Sequence, residues 1–309
     1  PAEAVTHHAR ALTLVPGHAA SFKALTRLYS QLDRHRELVE LLERAVTETG
    51  LPSLQIAYLF KIGSVWEDSL GDPVQALHAF RRILELDPDD LVAIHAVQRV
   101  AEKAGRYPQL ALALEREIAL VDDAALRVGL LHRVGTVLDE HMADPDGALT
   151  WFRRALELDP AFVPALASVG QIYYRAGRWS DLLDIYEREV AVTTIASEAV
   201  ALLHKMGELC EDKLGDATRA VGYYRRALEI DAAYRPAIRA LVRRCRDSRD
   251  WPGLVAALEI DVASVDHAPT RAGIWFEIGQ LSEDWLGDND RAIAAYKKAL
   301  EARADHRAS

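Results

Sequence analysis

The chain has 309 residues, half of them apolar and 27% charged, with a net charge of −10 at neutral pH. That is enough apolar material to bury a core. The acidic balance excludes a general nucleic-acid binder, which carries a basic field, and no apolar run approaches the ~20 residues needed to span a bilayer.

In chain order, the first predicted helix follows Pro1 and carries an apolar stripe of Ala4, Val5, Ala11, Leu12 and Leu14. Phe22, Leu25 and Tyr29 open a second helix. Ile56, Leu59, Ile62, Gly63 and Trp66 give a further helical stripe, at three- and four-residue spacing. The segment LGDPVQALHAFRRILELDP then reads as the end of that helix and the whole of the next. Asp72 is an N-cap whose carboxylate accepts the free N–H groups of the first turn, and Pro73 stands where a missing N–H costs nothing. Ala76, Leu77, Phe80, Ile83 and Leu84 form its buried stripe, and Pro88 cannot continue the helix. Ile94, Val97 and Ala101 begin another helix, a turn follows at Gly105-Arg106-Tyr107, and Leu110 and Leu114 mark its partner.

The phrase then returns as MADPDGALTWFRRALELDP, LGDATRAVGYYRRALEIDA and LGDNDRAIAAYKKALEARA. Gly63, Gly135, Gly207 and Gly279 are each 72 residues apart, as are Ala76, Ala148, Ala220 and Ala292, and the aromatics Phe80, Phe152, Tyr224 and Tyr296. Pro1 and Pro73 share that step, and so do Pro16, Pro88 and Pro160. Each period holds two helix hairpins, A with B and A′ with B′, and the first carries one extra residue between its Gly and its Ala. An internal period of this kind marks a repeat architecture.

The run Leu131, Val134, Gly135, Leu138, Ala148, Phe152, Ala155 and Pro160 resembles the tetratricopeptide repeat, as does Leu166, Val169, Gly170, Tyr173, Gly177, Leu182 and Tyr186. The resemblance covers essentially the whole chain. It implies an all-α, right-handed α-solenoid over residues 1–309, about eight hairpins plus an unpaired first helix. A solenoid needs polar end caps, and neither end shows one. A window cut from a longer array accounts for that, with self-association through the open ends as the alternative. The Arg- and Ala-rich composition suits a bacterial source, and the cytoplasm is the favoured compartment.

Chemistry is sparse. No phosphate-cradling loop, HExxH or nucleophile elbow is present, so no catalysis, cofactor or metal is expected. Cys210 and Cys245 show neither disulfide nor zinc spacing and are expected to be buried thiols. His7 and His8 are adjacent on a helix and diverge, while His132 and His204 are repeat equivalents rather than a cluster. Co-chaperone members of the resembled family clamp a terminal carboxylate with Lys and Asn. Here the single asparagine, Asn289, lies in a turn, which discards that function.

In the resembled family, helix A lines the concave groove that binds partners. By register the groove carries an acidic pair on each A helix: Glu67-Asp68, Asp139-Glu140, Glu211-Asp212 and Glu283-Asp284. It carries basic residues on the A′ helices, among them Arg99, Arg175, Arg239 and Arg243, and the variable positions Phe60, His132, His204 and Phe276. Alternating charge is what self-compensation between neighbouring helices looks like, each exposed pair contributing ~0–1 kcal/mol. The competing reading is a polyampholyte groove that recognises a partner. On the B helices, Arg81-Arg82 and its equivalents stand three or four residues before Glu85, Glu157, Glu229 and Glu301, spaced for pairing along one helix. The resemblance thus implies a non-catalytic scaffold that binds a peptide or partner domain in its groove, without nucleic acid and without membrane insertion. A structural assembly or spacer protein is the alternative.

Overall fold

The computed structural model describes residues 2–15 and 17–307, with side chains from residues 3 to 303. Pro1 and Pro16 lie outside the described residues. Seventeen helices and no strand occur among the described residues, and the chain divides into two compact units.

The first unit, residues 1–160, contains α1 (Ala2–Leu14), α2 (Ala19–Gln31), α3 (His35–Glu48), α4 (Pro52–Ser64), α5 (Pro73–Leu86), α6 (Leu91–Lys103), α7 (Tyr107–Leu120), α8 (Ala124–His141) and α9 (Pro145–Leu158). The second, residues 161–309, contains α10 (Val163–Arg175), α11 (Trp179–Val192), α12 (Ala196–Leu209), α13 (Ala217–Ile230), α14 (Arg235–Ser248), α15 (Trp251–Ala263), α16 (Ala268–Leu281) and α17 (Asn289–Arg307). Within each unit, helices pack chiefly on their chain neighbours, as in an all-α solenoid. The A/B hairpins are α4/α5, α8/α9, α12/α13 and α16/α17. The A′/B′ hairpins are α2/α3, α6/α7, α10/α11 and α14/α15.

The seam of each A/B hairpin is set by one glycine and one ring. A Cβ on Gly63 would lie 2.4 Å from Phe80, and on Gly135 2.5 Å from Phe152. Gly207 meets Tyr224 at 2.3 Å and Gly279 meets Tyr296 at 2.4 Å in the same way. Only hydrogen fits there, so the ring packs directly against the backbone of the facing helix. The A′/B′ seam is looser, for a Cβ on Gly170 would sit 3.5 Å from Leu182, an ordinary contact.

The extra residue of the A/B hairpin has a definite place. In A′/B′ turns the N–H that opens the second helix reaches back five residues, from Arg34 to Tyr29, Arg106 to Ala101, Arg178 to Tyr173 and Asp250 to Cys245. In A/B turns it reaches back six, from Asp72 to Trp66, Asp144 to Leu138, Asp216 to Cys210 and Asp288 to Ser282, each at 2.9 Å. Three A helices absorb the residue as a π turn, at Val65–Ser69, Cys210–Leu214 and Ser282–Leu286, a common way to accommodate a single insertion. The cap aspartates act as expected: Asp72 accepts from the Val74 and Gln75 N–H groups and Asp144 from Gly147, with Asp216 and Asp288 capping α13 and α17 alike.

Candidate functional site

The A and A′ helices present the residues on which any partner contact was expected, and the structure sorts them into three roles. The first role is a second aromatic layer. Phe60 lies 6.0 Å from Phe80, His132 5.2 Å from Phe152, His204 5.5 Å from Tyr224 and Phe276 5.5 Å from Tyr296, centroid to centroid. His204 also meets Tyr234 edge-on at 5.7 Å. Phe60, His132 and His204 are half-buried by this stacking, whereas Phe276 is 52% exposed.

The second role is ion pairing between helices. The acidic pairs are split rather than used together. Glu67, in the π turn that follows α4, pairs with Arg99 of α6 at 2.8 Å, its side chain only 7% exposed. Glu211 pairs with Arg243 at 2.6 Å and with Arg244 at 3.1 Å, its side chain 8% exposed. Glu283 instead accepts from the Tyr296 hydroxyl at 2.9 Å. Asp139 is half-buried. The second acids, Asp68, Glu140, Asp212 and Asp284, are exposed, as are Arg175 and Arg239. The compensation expected from the charge alternation is thus present at Glu67–Arg99 and Glu211–Arg243, and it consumes only the first acid of each pair.

Sequence reasoning missed a related feature. Arg133 of α8 pairs with Glu102 of α6 at 2.8 Å, and Glu277 of α16 pairs with Arg246 of α14 at 2.6 Å. The positions are repeat equivalents, two periods of 72 apart, with the charges exchanged. An exchange that preserves the pair shows that attraction, and not the sign at either site, is what the position retains. Comparing residues in register along the chain would have exposed it.

The third role is sealing of the outer helices, where one expectation is corrected. Arg82 and Arg226 do not pair along their own helices with Glu85 and Glu229. Arg82 donates from its Nη1 to both carboxylate oxygens of Glu43 of α3, at 2.7 and 2.9 Å, and Arg226 donates from Nη1 and Nη2 to one oxygen each of Glu187 of α11, at 2.6 and 2.9 Å. At Arg226 the two prongs of the guanidinium match the two oxygens of the facing carboxylate, the stronger, bidentate form of the pair. Arg226 and its hydrogen bonds hold the Glu187 carboxyl below its ordinary range. Glu259 of α15, in the same register, pairs with Arg291 at 2.9 Å.

The remaining polar residues have local explanations. His8 contacts the Ser21 hydroxyl at 3.2 Å while His7 is exposed, so the adjacent histidines do diverge. Cys210 and Cys245 are buried free thiols, and burial raises the pKa of both. Among the described residues, no group of three His, Cys, Asp or Glu side chains is placed to hold a metal ion, and no helix is long and apolar enough to cross a membrane.

Family models described as tetratricopeptide repeat match residues 21–52, 57–90, 165–197, 200–234 and 272–306, more than half of the chain. The chain belongs to the tetratricopeptide repeat family. Each matched segment coincides with one hairpin, in order α2/α3, α4/α5, α10/α11, α12/α13 and α16/α17. No curated protein matches the chain. Similar solved structures include MamA, 20% identical with a TM-score of 0.38 over 57% of this chain and 91% of that one. YrrB, titled a tetratricopeptide repeat protein with an unusual peptide-binding site, is 20% identical with a TM-score of 0.37 over 65% and 98%. The C-terminal part of a repeat-containing protein from Cytophaga hutchinsonii is 13% identical with a TM-score of 0.39 over 80% and 94%. Tetratricopeptide repeats serve in general as scaffolds for protein interaction, and this chain is an array of them.

Proposed function

We propose that the chain holds a peptide segment or a partner domain along the face formed by its A and A′ helices and contributes no catalysis. A division of labour on the A helices carries this reading. The glycines serve internal packing and Glu67 and Glu211 serve pairing between helices, while Asp68, Glu140, Asp212, Asp284 and Phe276 are exposed. Phe276 supports it most directly, since a phenylalanine half exposed against Tyr296 gains by being covered.

The test is capture of partners from the source lysate by the wild-type chain and by the variant Asp68→Lys, Glu140→Lys, Asp212→Lys, Asp284→Lys. These four acids are exposed, so the fold is expected to survive their reversal, unlike reversal of the inward Glu67 and Glu211. Loss of a captured protein from the variant supports the reading. Retention of every partner removes the face from the argument. Light scattering on the same samples addresses the assembly alternative, which requires a mass that grows with concentration.

A further inference from the structure

A cavity of about 710 Å³ lies away from the A-helix face. It lies between α1 and α3, floored by α2, with Tyr58 of α4 at one end. The equivalent crevice between α13 and α15, floored by α14, is smaller, about 330 Å³, and its lining residues Leu228, Leu241, Cys245 and Ala257 stand three periods of 72 after Leu12, Leu25, Tyr29 and Leu41. The steps from B′ to the next B at α3/α5, α11/α13 and α15/α17 are bridged by the pairs at Glu43, Glu187 and Glu259, whereas the α7/α9 step, at Glu115, leaves a crevice of about 470 Å³ beside Trp151 and Arg154.

Two substitutions make the first crevice distinctive. Ala45, which lines the crevice, is smaller than Glu117, Glu189 and Asp261, which stand in its register in the later hairpins. Phe22 is half-buried, whereas its equivalents Ile94, Leu166 and Ile238 are fully buried. The walls are aromatic, with Phe22 and Tyr58 5.4 Å apart and Tyr29 beside them. The rim carries Glu40, Arg44 and Glu48, all exposed, and is negative on balance. A resident cation already uses this chemistry at the edge: the Arg34 guanidinium lies 5.2 Å from the Tyr29 ring and pairs with Glu37 at 2.8 Å.

We propose that this crevice docks a basic, apolar-faced segment of a partner protein, whose apolar side chains enter between Phe22, Tyr29, Leu41 and Tyr58 and whose Lys or Arg heads meet Glu40 and Glu48. Aromatic faces attract cations. Long basic side chains lay an apolar stem on such a surface while the head stays wet. The net acidic field of the chain favours the same sign of partner.

The probes are two fluorescent amphipathic helical peptides with identical leucines, one carrying Lys and the other Glu, titrated with the full chain and read by anisotropy. The Lys peptide is expected to bind at least about tenfold more tightly than the Glu peptide. Glu40→Lys with Glu48→Lys, and separately Ala45→Leu, which fills the space, are each expected to weaken it by about tenfold or more. Asp68→Lys with Asp212→Lys, on the A-helix face, is expected to leave it unchanged, which separates this crevice from the face proposed above. Thermal melts establish that each variant is folded. The proposal is overturned by equal binding of the two peptides, by full binding to both crevice variants, or by equal loss in the A-helix-face variant, which would mean adherence to net charge alone.

Discussion

At the residue scale, Tyr224 carries a cost that its repeat equivalents avoid. Its ring is fully buried against Gly207, yet its hydroxyl is buried without a hydrogen-bond partner. Burial drives its pKa far above the ordinary phenol range. Phe80 and Phe152 fill the same place with no hydroxyl, and Tyr296 donates its own to Glu283. Tyr224→Phe is therefore expected to stabilise the chain by about 1 kcal/mol, seen as a higher denaturant midpoint. A lower midpoint would mean that the hydroxyl finds a partner in solution. Ala143 is a second such residue. It has φ +54° where Gly71, Gly215 and Gly287 have +65° to +67°. A side chain in that region costs roughly 1–2 kcal/mol, so Ala143→Gly is expected to stabilise by about 1 kcal/mol, and an unchanged melt would contradict the strain.

At the element scale, the two hairpin types respond oppositely to one substitution. Gly135→Ala places a methyl 2.5 Å from the Phe152 ring and forces α8 and α9 apart, an overpacking expected to cost about 1–3 kcal/mol. Gly170→Ala meets Leu182 at an ordinary 3.5 Å, and the better helix former is expected to gain about 0.5–1 kcal/mol. Equal effects at the two sites would show that the seams are alike after all. The exchanged ion pair gives a separate test. Arg246→Glu and Glu277→Arg each place like charges together, and the double exchange restores the pair in the polarity found at Glu102–Arg133. A double-mutant cycle is expected to recover stability in the double variant, with a coupling of about 0.5–1 kcal/mol for a pair this exposed. Additive losses would leave the pairing without energetic weight.

At the scale of the whole molecule, stability is a sum of neighbour interfaces, and several of those carry a paired carboxylate. Glu187 has its folded pKa lowered, first by the hydrogen bond from Arg226. A lowered folded pKa means that the contribution is full above the unfolded carboxylate pKa and is lost as pH falls through the folded value. Glu189 acts in the opposite sense, because burial raises its pKa. Stability is thus expected to fall on acidification below the ordinary carboxylate range, and Arg226→Ala is expected to flatten that fall. Melts across a pH series measure both, and an identical acid limb in the variant would exclude the pair as a contributor.

The hairpins, their caps and the recurring glycines and aromatics were legible in the sequence (though not that each glycine meets its ring), because stacking requires each unit to offer the next the same surface, and a surface repeated in space is repeated in the chain. Gly63, Ala76 and Phe80 recur for that reason, and so do Asp72 and its equivalents, whose capping contacts are two or three residues long. The extra residue could be counted, but its conversion into a π turn rests on backbone bonds that spacing does not specify. The candidate face was legible only as a set of positions. Which acid of Glu67-Asp68 turns inward depends on where α6 places Arg99, and Arg82 finds Glu43 rather than Glu85 because two helices 39 residues apart lie side by side. The crevice lined by Ala45 belongs to the same class: a small side chain leaves a cavity only where three helices surround it. Local periodicity and capping are written in neighbouring residues, so the sequence alone determined this protein's elements and repeat. Partner choice among charges, and the space left between helices, come from contacts distant in the chain, and those the tertiary structure decided.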